Sequence, residues 1–362
     1  MDDVRMRELG SITHRGLGTG VFLGFLLLTG CGGNEPDPRP TIESAPWFAG
    51  YVDITVPSTY EVDEPPTPAA AKAVLSFIVA GEEDPCEPSW GGVYSLDQAG
   101  DALGLDDRLS RLREDGGEAV VSFGGQLGSE LAATCADPEQ LASAYAEVID
   151  RYGITTIDLD IEGDDLDDSS AGIRRAEAIA GLQSDRADGE ELRVWVTLPV
   201  TPDGLTGRGQ EAVAQLLDAD VQLAGVNIMT MNYSMSRMAD QTMVEASRQA
   251  ADSAHSQLSA LYRERGEDLG ADEVWNRIGL TPMIGLNDVP AEVIDLDAAR
   301  ELNEFALDRG VGRMSLWSLN RDRPCGPDDP GTAQASNTCS GLDQEPGAFA
   351  DVLGNGFSGT SN

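Results

Sequence analysis

Basic residues are what this chain has least of for its size. Lys and Arg together number 24 against 63 Asp and Glu, a formal net charge of −39 over 362 residues, and Lys72 is the single lysine. A surface this negative repels phosphate backbones and anionic headgroups, so no nucleic-acid partner is expected. Histidine is nearly missing, with only His14 and His255, and there is no Cys-x-x-Cys or His-rich pattern. Those absences argue against a zinc site, and neither a metal nor a cofactor is expected. No Gly-rich phosphate loop follows the first β-like run, which counts against a dinucleotide-binding sheet. The apolar run VFLGFLLLTG (21–30) is too short to span a bilayer as a resident helix.

That run follows a leader containing Arg5, Arg7 and Arg15 and ends in Leu28-Thr29-Gly30-Cys31, which resembles a bacterial lipobox. Residues 1–30 therefore read as an export signal, with Cys31 as the lipid-bearing residue. Residues 31–45 are polar and Pro-rich, as suits a flexible tether. The expected location is outside the cytoplasm, either lipid-anchored to the outer face of a membrane or secreted, and the expected state is a monomer. Export permits disulfides. Setting Cys31 aside leaves Cys86, Cys135, Cys325 and Cys339, which allow three pairings. Cys325 and Cys339 are close enough in sequence to staple one loop, leaving Cys86 with Cys135.

Eight β-like runs follow: WFAGYVDIT (47–55), AVLSFIVA (73–80), EAVVSFGG (118–125), GITTIDLDIE (153–162), LRVWVTLPV (192–200), AGVNIMTMNY (224–233), RIGLTPMIG (277–285) and GRMSLWSLN (312–320). Stretches of helical periodicity separate most of them. This alternation predicts an α/β fold, a (β/α)8 TIM barrel over residues 46–355, with 356–362 as a C-terminal tail. An open doubly wound sheet is the alternative.

The fourth run carries the chemistry. Strand period places Asp158, Asp160 and Glu162 on one side, with Ile157, Leu159 and Ile161 on the other. The apolar set suits the helix layer, so the acids face the barrel interior, and Glu162 falls at the C-terminal end where barrel enzymes work. Crowded, desolvated carboxyls raise one another's pKa. Glu162 would then stay protonated near neutral pH as a general acid, Asp160 would hold it by a hydrogen bond, and Asp158 would tune Asp160. A proton donor of this kind suits glycosidic bond cleavage. A retaining enzyme with a protein nucleophile needs a second carboxylate about 5 Å away, and no obvious residue supplies one. The substrate would have to provide its own.

The segment IDLDIE resembles the DxxDxDxE signature of family 18 glycoside hydrolases, the chitinases and related endo-N-acetylglucosaminidases. SFGG (122–125), with Gly124 and Gly125, is similar to the family's SxGG motif. VNIMTMNY (226–233) is similar to its sixth-strand segment, and SLWSLNRD (315–322) to its last strand. The segments TPMIGLND (281–288) and CEPSWGG (86–92) are also like bacterial chitinase sequence. The resemblance implies retaining, substrate-assisted cleavage of β-1,4-linked N-acetylglucosamine polymers, with the 2-acetamido carbonyl as nucleophile. It makes Glu162 the acid/base and Asp160 the partner of the acetamido N–H, supported by Asp158. Tyr233 would bond the acetamido oxygen and Trp317 would form the sugar platform. Thr155 and Asn232 stand where the family has Asp. Removing a charge near Glu162 by Asn232 is expected to alter the acid side of the pH profile. Met229 and Met231 shape the acetamide pocket or fill core, and Tyr51 and Asp53 line a subsite or fill the barrel. Trp90 is a platform or loop packing, and Asn287 and Asp288 sit at a strand end facing substrate. The other readings are an endo-β-N-acetylglucosaminidase acting on N-glycans and a non-catalytic chitooligosaccharide-binding barrel.

Overall fold

Runs such as Lys72–Ala80 are apolar on both faces, the pattern of a parallel strand covered on each side. In the computed structural model, which describes residues 45–56, 60–187, 190–327, 329 and 334–361, all eight β-like runs become strands of one closed barrel. Strand β1 comes in two pieces, Trp47–Phe48 and Gly50–Asp53. It is followed by β2 (Lys72–Ala80), β3 (Glu118–Gly124), β4 (Thr156–Asp160) and β5 (Arg193–Thr201). The last three are β6 (Leu223–Met229), β7 (Ile278–Thr281) and β8 (Arg313–Met314). Each pairs in parallel with the next. The first piece of β1 pairs with β8 and the second with β2, which closes the ring. Strand β8 is shorter than its sequence run, yet its backbone bonding continues, with Ser315 N–H on Leu280 O (2.8 Å) and Trp317 N–H on Pro282 O (2.9 Å). The export signal, Cys31 and the tether up to residue 44 lie outside the described residues.

Local chemistry sets the helices that flank these strands. Pro138–Tyr152 begins with the Asp137 carboxylate accepting the N–H groups of Glu139 and Gln140, and ends at Gly153, whose φ of 57° a side chain would resist. Val121, Ile157, Leu159, Val196 and Ile228 bury their side chains in the main apolar core. A separate cluster of Trp47, Ala49, Tyr51, Val74, Val120 and Trp195 is packed within the ring, and Arg313 lies over the rings of Trp47, Tyr51 and Trp195 at 5.1–5.5 Å.

Two disulfides brace the periphery, Cys86–Cys135 and Cys325–Cys339, the pairing that sequence proximity suggests. Residues 357–361, within the C-terminal tail, are held by backbone and side-chain bonds. Gly359 N–H bonds Pro46 O (2.8 Å), Lys72 Nζ bonds Gly359 O (2.7 Å), and Ser361 N–H bonds Glu118 Oε2 (2.7 Å). The segment therefore meets β1, β2 and β3 at their starts, where strand ends have unpaired groups to offer.

Candidate active site

Asp158 is the foundation. Fully buried, its Oδ1 accepts from Arg313 Nη1 and Thr197 Oγ1, both at 2.6 Å. Its Oδ2 accepts from Tyr51 OH (2.8 Å) and Ser122 Oγ (2.7 Å). Four donors, one of them a buried guanidinium, fix this side chain from four strands. Arg313 was not singled out by sequence, although period-two spacing back from Trp317 through Ser315 puts it on the same inward face. Its partner lies 155 residues away.

One pleat up, Asp160 is 4% exposed, and its Oδ1 is buried with no hydrogen-bond partner. Burial pushes its carboxyl well above the usual range; Glu162 and Asp158 add to the rise and Arg313 opposes it. Glu162, half-buried at the strand's end, is pushed up to about 7 by burial. The expected hydrogen bond between Asp160 and Glu162 is not made among the described residues. Residues two apart on a strand stand about 6.7 Å apart, so their carboxyls meet only if both lean together. The turn after Glu162 is pinned from behind. Glu130 N–H donates to Asp165 Oδ2 (2.7 Å), and the Glu130 carboxylate pairs with buried Arg175 at 2.9 Å.

Above these acids opens a cavity of about 650 Å³ at the C-terminal ends of the strands. Trp317, Phe77 and Tyr51 line it with aromatic surface; Phe77 and Trp317 stack at 5.6 Å and 19°. Asp160, Glu162, Met229, Met231, Asn232, Asp53 and Asp288 share the lining. Phe77, inside an apolar strand run, reads as core in the sequence and was missed.

Three assignments change and one open reading, that of Trp90, is decided. Tyr233 does not reach the cavity: its ring is buried and its hydroxyl lies 3.3 Å from Ser247 Oγ. Its N–H and that of Ser234 are held by Glu292 at 2.9 and 2.8 Å, and Asn232 and Ser234 both adopt φ of 51°. This turn sends the ring into the core. Trp90 is wholly buried, with Nε1–H on Tyr152 OH (2.9 Å), so it is packing and not a platform. Asn287 bonds Met283 O (2.8 Å), bracing its own loop, while the neighbouring Asp288 lines the cavity. Gly124 lets a neighbouring backbone approach and Gly125 makes room for an aromatic ring, and neither lines the cavity. A Cβ on Gly124 would fall 2.1 Å from Asp160 O, and one on Gly125 2.7 Å from the Phe77 ring.

Asn232 has a local reason to be an amide. Its Nδ2 donates to Asp288 Oδ2 (2.9 Å) and its Oδ1 accepts the Asp288 N–H (3.2 Å). An Asp here would set two carboxylates in contact and lose the donor. The described residues hold no cluster of three or more His, Cys, Asp or Glu able to bind a metal ion.

No family model matches the chain. It is 32% identical over 292 residues to a probable bifunctional chitinase/lysozyme of Escherichia coli K12, covering 77% of this chain and 31% of that protein. It is 31% identical over 290 residues to endochitinase 11 of Metarhizium anisopliae, covering 76% of this chain and 52% of that one. The chain thus spans about half or less of these relatives' length. Among solved structures, active domain 2 of the thermostable chitinase from Pyrococcus furiosus superposes with a TM-score of 0.72 at 29% identity. The match covers 86% of this chain and 96% of that domain, whose catalytic-site mutants were crystallised with chito-oligosaccharides.

Proposed function

We propose that this chain, whose relatives and fold support membership of the family 18 chitinases, hydrolyses β-1,4-linked N-acetylglucosamine polymers with retention, using the substrate's own acetamide as nucleophile. The observation that carries this reading is Asp160 Oδ1, buried and unpartnered in a cavity that Glu162 and Trp317 also line. A buried oxygen without a partner costs free energy until a donor reaches it, and an acetamido N–H is such a donor.

Residue by residue, the reaction runs as follows. The apolar face of one sugar lies against Trp317. Asp160, one pleat above the Asp158–Arg313 pair, accepts the acetamido N–H and turns the carbonyl oxygen toward the anomeric carbon. Glu162, protonated near neutral pH because burial has raised it, gives its proton to the glycosidic oxygen as that C–O bond breaks. The carbonyl oxygen bonds the anomeric carbon to give an oxazolinium. Water then adds to that carbon, passing a proton to the Glu162 carboxylate, and the acetamide is restored.

Release of a fluorophore from chitobiose and chitotriose conjugates tests this. Parent protein should turn over both, and Glu162→Gln should lose about 10³-fold or more in kcat. Measurable chitooligosaccharide binding without turnover by the parent would instead make this a sugar-binding barrel. Export and anchoring through lipidated Cys31 complete the reading. Cys31→Ala should move the mature protein from the membrane fraction to the soluble one, and an unchanged distribution would refute the anchor.

A further inference from the structure

A cavity for a neutral sugar chain has no need of surplus negative charge, yet this one has it. Its lining holds Asp53, Asp160, Glu162 and Asp288, and no Lys or Arg among the described residues. Asp160 and Glu162 serve the chemistry and Asp158 beneath is paired with Arg313, but Asp53 and Asp288 answer to neither account. Their hydrogen bonds come from neutral groups: the N–H and hydroxyl of Thr55 on Asp53 (2.9 and 2.6 Å), and the Asn232 amide on Asp288 (2.9 Å). Arg321, on which the Asp288 charge acts, is buried and gives its Nη2 donors to backbone carbonyls of Ile284 and Leu286. Asp53 ends β1 and Asp288 follows β7, so the two carboxylates come from either side of the strand that leads to Trp317. Asp160 Oδ1, buried in the same cavity, is a further acceptor that no protein donor meets among the described residues.

We propose that the cavity selects partly deacetylated chains: N-acetylglucosamine oligomers in which some units carry a free ammonium group bind ahead of fully acetylated ones. An acetylated unit sits on Trp317, since the reaction needs its carbonyl, and ammonium groups of flanking units meet Asp53 and Asp288. The inference rests on the proposed aminosugar substrate. Concave, poorly hydrated walls focus such a field, and the net charge of −39 extends it outward.

The test is equilibrium binding to Glu162→Gln, which leaves ligands uncut, at a mildly acidic pH where the sugar amine is protonated. A fully acetylated tetramer is compared with one of equal length bearing free amines. At low salt the amine-bearing ligand should bind about fivefold more tightly, and about 1 M salt should bring the ratio toward one as the Debye length shrinks to about 3 Å. Adding Asp53→Asn and Asp288→Asn should flatten the ratio at low salt. Glu139→Gln with Glu147→Gln, on the outer helix Pro138–Tyr152, should leave it intact. A ratio of one or below at low salt overturns the proposal, as does a ratio indifferent to salt, or one lowered as far by the outer pair as by the cavity pair. If the preference holds while the parent turns nothing over, the hydrolase reading falls and this one stands.

Discussion

Asp158, Asp160 and Glu162 share one strand face, and what separates their roles is the company each keeps. Asp158 has four donors, Asp160 has an oxygen with none, and Glu162 is left raised at the rim. The arrangement is costly to hold, and the cost depends on pH. A carboxyl raised from 4.5 to about 7 on folding binds its proton more tightly in the native state. Native stability from this group is therefore full below about pH 4.5 and is lost as pH rises through 7. Glu162→Gln removes the ionisation. Its melting temperature should match the parent's near pH 4 and exceed it at pH 8, by roughly 2–3 kcal/mol of stability. Equal shifts at both pH values would mean that Glu162 is not desolvated in the folded protein.

At the scale of elements, the two disulfides close very different lengths of chain. Cys86–Cys135 joins residues 49 apart and Cys325–Cys339 residues 14 apart. Loop-closure entropy assigns about 4 kcal/mol to the first and about 3 to the second. Paired Cys→Ala variants followed by thermal unfolding should both destabilise, the first more; the reverse order would show that native contacts outweigh the unfolded chain. Strands were the most legible elements, because parallel strands covered on both faces leave continuous apolar runs. The acids were legible because period two is strict on a strand. Tyr233 was not: a positive φ at Asn232 and a carboxylate on Glu292, 59 residues away, decide where its ring points. Trp90 stayed open between platform and packing for the same reason, since the partner that decides for packing, Tyr152, lies 62 residues on.

For the whole molecule, the barrel fold was legible in the sequence, because motif order along the chain mirrors strand order around the barrel. Closure was less so. That β1 splits to bridge β8 and β2, and that residues 357–361 bind the strand starts, follows from backbone groups seeking partners and leaves no mark on residue type. Nor does composition reveal which of 63 acids gather at the cavity mouth. The function we propose unites these scales: the barrel would supply a proton donor and an acceptor for an amide, and the sugar the nucleophile. The most direct test is kcat/KM for a fluorogenic chitobioside against an otherwise identical glycoside with hydroxyl groups at the 2-positions. The account predicts that the hydroxyl analogue is cleaved at least about 10⁴-fold less efficiently, since it lacks the intramolecular nucleophile. Cleavage of both within about tenfold would contradict it and require a nucleophile on the protein.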